Sequence, residues 1–95
     1  MSKEDDLIKL VNQIEHLNKI AYIQYKPITD ELCSRIAPIN EVEYTLDRMI
    51  DFCGSDEILT LFKKICKHYY SIYPEMIAFE INTYRELWDS ENEGR

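Results

Sequence analysis

The sequence predicts an all-α protein, a compact antiparallel bundle of four to five helices in one domain spanning residues 1–95. Three observations carry that expectation. Apolar residues return at steps of three and four along most of the chain, the spacing that lines one side of a helix. Two glycines and three prolines leave little material for hairpins. An apolar content of 45% and an aromatic content of 12% supply a core that a disordered chain lacks.

The first helix starts within Ser2–Asp6. Ser2 can accept from an early backbone amide, and Glu4, Asp5 and Asp6 sit where the helix dipole favours anions. Leu7, Leu10, Val11, Ile14, Leu17 and Ala21 then form an apolar stripe, extended by Tyr25 and Ile28. Asp5–Lys9 and Glu15–Lys19 are acid-before-base pairs on the wet side, each worth about 0.2–0.5 kcal/mol. Pro27 is expected to end or bend this helix, because its ring pushes Lys26 out of helical geometry. Thr29-Asp30-Glu31 then reads as a fresh start capped by Thr29. Leu32, Cys33 and Ile36 give that short piece a buried face, and Ala37-Pro38-Ile39 closes it.

Asn40 with Glu43 three residues on is a capping-box pattern. The helix it opens turns Val42, Leu46, Met49, Ile50 and Cys53 inward and sets Glu43, Asp47 and Asp51 four apart on another face. Gly54 reads as a left-handed stop. Ser55 caps the next helix, with Asp56 and Glu57 in its first turn. From Ile58 to Trp88 the apolar rows continue, interrupted by Pro74, which lacks a backbone donor. Either two helices meet there or one long helix kinks. Breaks are therefore expected near Pro27, Pro38, Gly54 and Pro74, and residues 89–95 read as an acidic tail that frays.

Charge narrows the function. Eighteen acids against eleven bases give net −7, the wrong sign for direct contact with nucleic acid or with an anionic membrane. It suits attraction to a basic protein surface. The charge is unevenly spread. Residues 1–26 are neutral, 27–54 and 74–95 each carry −4, and 55–73 carry +1 with Lys63, Lys64, Lys67 and His68 grouped. No run approaches the roughly 20 apolar residues of a membrane helix. Three cysteines with no Cys-x-x-Cys spacing and no leader-like start fit free thiols in the cytoplasm.

Chemistry is hard to place. Cys66 and His68 are two apart and point to different helix faces, and no Glu-x-x-His or His-Glu-x-x-His occurs, so no metal and no cofactor are expected. Arginines at 35, 48, 85 and 95 do not cluster for an anionic substrate, and two glycines cannot build a phosphate loop. The chain is read as a non-enzyme. A helix-turn-helix outline over 41–67 meets Asp56 and Glu57 where base-reading residues belong.

What is left is recognition. The bland account of the acidic blocks is a solvated surface that keeps a small protein soluble. The sharper account is a binding protein that occludes a basic surface of a protein partner, such as a nucleic-acid-binding protein, in the manner of an inhibitor or nucleic-acid mimic. Bacteriocin-immunity proteins and phage-encoded inhibitors are analogous in size and charge, with no shared motif. Glu43, Asp47, Asp51, Tyr73, Glu75 and Glu80 are the expected contacts, with tyrosines as anchors. The alternative is a self-associating regulatory or structural protein, a homodimer closed by apolar stripes.

Overall fold

A computed structural model describes residues 3–89. Helices α1 (Lys3–Leu32), α2 (Ile39–Ile50), α3 (Asp56–Tyr69) and α4 (Pro74–Tyr84) are followed by a π-helical turn, Arg85–Asp89. No strand occurs among the described residues. The expected Ser2 cap and most of the acidic tail lie outside them.

Helix α3 is central, packing against each of the other three helices. Its acidic first turn and basic last turn suit the helix dipole at both ends. Ile58, Leu61, Phe62, Ile65, Cys66 and Tyr69 recur at helical spacing and are all buried. Val42, Leu46 and Met49 of α2, Met76 and Ile77 of α4, and Ala21, Tyr25 and Leu32 of α1 complete the core.

Pro27 corrects the sequence reading: it lies inside α1, which runs unbroken for 30 residues. Its ring denies a bond to the Ile23 carbonyl, but Ile23 and Pro27 are both exposed, so water can serve that oxygen. Tyr25 before the proline and Thr29 and Leu32 after it share one buried side, which holds both segments against the core as one helix. Lys26 and Asp30 bridge the site at 2.6 Å. Thr29 is thus an interior helix residue and no cap.

The bundle is less compact than expected. No residue from Lys3 to Ile20 is buried, and this half of α1 projects from the rest, giving a molecule 53 Å long and 17 Å thick.

Residues 33–38 connect α1 to α2, and the buried Tyr69 hydroxyl fastens them. It accepts from the Ala37 amide at 2.9 Å and has the carbonyls of Leu32 and Arg35 at 2.7 and 2.9 Å for its single proton. Arg35 pairs with Glu31 and Glu41 across the same bend. Helix α2 is led in by Pro38 with no side-chain cap, so the Asn40–Glu43 capping box does not form. Ser55 does stand at the N-cap of α3, but its hydroxyl makes no capping bond.

Gly54 corrects a second expectation, since no glycine among the described residues has positive φ. Its constraint is space: a Cβ there would meet the Trp88 ring at 3.0 Å. Trp88 donates from Nε1 to the Ile50 carbonyl at 2.8 Å, closing the C-terminal end of α2. At Pro74 there are two helices with a turn between them, and the proline opens α4, where its missing donor is not needed.

Candidate functional site

Helix α2 places its carboxylates through its core side. With Val42, Leu46 and Met49 buried, Glu43 and Asp47 stand on the flank of the helix that faces α4, and Asp51 follows at the C-cap. Glu43 is half-buried, while Asp47 and Asp51 are exposed. No ion pair among the described residues includes any of the three. Lys26 and Lys64 pair with Asp30 instead, and Arg35 with Glu31 and Glu41.

Glu80 belongs to this group and is fully buried, 0% exposed, where the sequence reading has it facing outward. The spacing of α4 accounts for this: Glu80 follows Met76 and Ile77 by four and three, so it shares their inward side. Neither of its carboxyl oxygens has a hydrogen-bond partner. Burial first, then Asp47 and Glu43 across the helix contact, push its carboxyl up to about 8. Two ionised carboxylates are both acceptors and cannot bond each other; a protonated Glu80 can donate to Asp47, which satisfies one of its two orphaned oxygens. Cys66 of α3 faces the same spot, and burial, with Glu80 adding to it, raises its thiol to about 12.

Beside Asp47 and Asp51, the residues Ile50, Thr83, Glu86 and Leu87 complete a shallow hollow of about 490 Å³. Its rim carries three carboxylates, and its apolar part is Leu87, which is 54% exposed, over the edge of Ile50. An apolar patch within acids, with no ion pair among the described residues including any of these acids, is shaped for the stem and head of a lysine or arginine.

The other expected contacts lie apart from this group. Glu75 is exposed in the first turn of α4. Tyr73 precedes that helix, and its hydroxyl donates inward to the Ala37 carbonyl at 2.7 Å while its ring stacks on Tyr69 at 5.9 Å. Of the adjacent pair at the end of α3, Tyr69 is buried and Tyr70 is exposed. Tyr44 on α2 is also exposed, with the Arg48 guanidinium 5.5 Å above its ring.

On the other side of α4 a second groove lies against α3. Leu59, Phe62, Cys66, Ile81 and Tyr84 form its apolar floor, and Lys63, Lys67 and Arg85 stand along it in a space of about 560 Å³. Sequence reasoning found the basic group but not the groove. The signal was there in Lys63 and Lys67, four apart and flanking Cys66 on its buried row. The acidic and basic surfaces thus occupy opposite flanks of one helix.

Burial also sets the thiols. Cys53 is raised to about 12 and Cys33 is raised as well, so neither is a ready nucleophile. Among the described residues no group of three His, Cys, Asp or Glu side chains could hold a metal ion, and no helix is long and apolar enough to cross a membrane. No known protein family, curated protein or solved structure matches this chain.

Proposed function

We propose that this protein is a non-enzymatic binding protein whose α2–α4 face, built on Glu43, Asp47 and Asp51 with Glu86 beside them, docks on a basic surface of a protein partner and blocks access to it. The observation that carries the reading is that no ion pair among the described residues includes any of these carboxylates. A field of one sign accelerates encounter with a partner of the other sign and makes it sensitive to salt. The Leu87 hollow adds a patch where an arginine or lysine stem can shed water. Glu80 acts from beneath: its proton, shared with Asp47, is what a partner's cation would displace. Tyr73 supports this surface by anchoring the loop before α2, and Glu75, in the first turn of α4, stands apart from it.

The test compares the native chain with the triple variant Glu43→Gln, Asp47→Asn, Asp51→Asn as baits in extract of the native host, with elution by a salt gradient. The expected result is a protein retained by the native chain alone, released as salt rises, and bearing a basic surface. Equal retention by both baits, or release indifferent to salt, would remove this face from the function.

A further inference from the structure

The stripe that is buried over Ala21, Tyr25 and Leu32 continues toward the N-terminus through Leu7, Leu10, Val11, Ile14 and Leu17, where no other described part of the chain buries it. Those five side chains are 50–60% exposed, and no residue of α1 is buried before Ala21. We propose that a second copy of this chain covers this arm, the two α1 helices lying antiparallel about a two-fold axis at the level of Asn12. This inference goes beyond the acidic face and does not depend on it.

Three features select a second copy and its direction. The first is reach. The free arm runs from Lys3 to Ile20, about 27 Å of helix, and an antiparallel overlap centred on Asn12 uses that length and stops where the core begins at Ala21. The second is register. Leu7 and Ile14 occupy the first position of a seven-residue repeat and Leu10 and Leu17 the fourth. The antiparallel overlap sets Leu7 across from Leu17 of the second copy and Leu10 across from its Ile14, so every seam position meets an apolar partner.

The third is charge. A parallel pair would set Glu4, Asp5 and Asp6 beside their own copies, with two helix dipoles aligned. It would also hold the two bodies side by side. Residues 1–20 carry net −1, so −6 of the −7 resides in the bodies, and the antiparallel pair keeps them at opposite ends. The self-complementary patch satisfies two-fold symmetry without further surfaces. A seam of this length with its flanks removes on the order of 1,000 Å² from water, the lower bound for a specific interface.

The test is sedimentation of the full chain over a concentration series, with Ile14→Asp as the disrupting variant. Ile14 lies outside the core, so the variant keeps the body folded, which Trp88 fluorescence verifies. The expected result is a native dimer and a dissociation constant raised about a hundredfold by Ile14→Asp. Direction is read by mild oxidation on a Cys33→Ser background. Val11→Cys, on the seam's flank beside the axis, should cross-link to itself in the antiparallel pair, whereas Leu10→Cys would do so in a parallel one. A native monomer at high concentration overturns the proposal. So does a dimer that Ile14→Asp leaves intact, which would place the contact elsewhere, the α3–α4 groove first. Cross-linking through Leu10→Cys in preference to Val11→Cys overturns the direction.

Discussion

Glu80 is a carboxyl held in the core beside Asp47 and Glu43 of α2 and Cys66 of α3, and its titration is tied to folding. In the unfolded chain it titrates near 4.5, in the native protein near 8. Below pH 4.5 both states hold the proton and the group leaves stability unchanged. As pH rises from there to 8, the unfolded state ionises while the native state keeps its proton, so stability falls; above 8 the loss is complete. Glu80→Gln removes that slope, and its amide can donate to Asp47 in place of the proton. The expected outcome is a variant more stable than the native chain by a few kcal/mol at most near pH 8 and little changed near pH 5, read by denaturant midpoints at both values. Tyr69→Phe works in the opposite direction. It strands the Ala37 amide and the Leu32 carbonyl inside the protein and should cost about 1–3 kcal/mol, visible in the same measurement and as faster exchange of the Ala37 amide. Only part of this was legible in the sequence. A glutamate among apolar residues reads as surface when both neighbouring rows are apolar, whereas the inward side of α4 is fixed by what α3 and α2 present. That Tyr69 and Tyr70 must divide between inside and outside was readable, because adjacent residues cannot share a helix face.

At the level of the helices, periodicity located α2, α3 and α4 because each keeps one apolar side at helical spacing from end to end. Local punctuation was less dependable. The capping pattern at Asn40 and Glu43 lost to Pro38, which leads the chain into α2 two residues sooner. The left-handed stop expected at Gly54 lost to Trp88, whose ring needs the space that glycine leaves. At Pro27 the penalty for an interior proline, about 3 kcal/mol, is outweighed by buried residues on both sides of it. Pro27→Ala restores the bond from residue 27 to the Ile23 carbonyl without touching the core, since Pro27 is exposed. It should raise stability by about 1–3 kcal/mol in urea unfolding, with helix content by circular dichroism unchanged or slightly higher.

Across the whole molecule, charge and apolar surface are sorted by place. The acids of α2 and the end of α4 face one way and the Lys63–Lys67 groove another, with α4 between them, while the nearly neutral arm of α1 stands clear of both. The sequence showed the segregation as blocks of net charge. It could not show which blocks meet, because internal neutralisation depends on distances between helices: Asp30 and Glu31 lie in one acidic block yet are paired, and Asp47 and Asp51 lie in the same block and have no ion pair among the described residues. The projecting arm was equally hidden, since a stripe that is buried at one end and bare at the other has a single unbroken pattern.

The most direct measurement is the affinity of the captured partner for the native chain and for the Glu43→Gln, Asp47→Asn, Asp51→Asn variant, each across a salt series. Removing three charges from the docking face should weaken binding at low salt by at least about tenfold, chiefly through slower association, and should flatten its dependence on salt. Identical affinities and identical salt slopes for the two proteins would contradict the account.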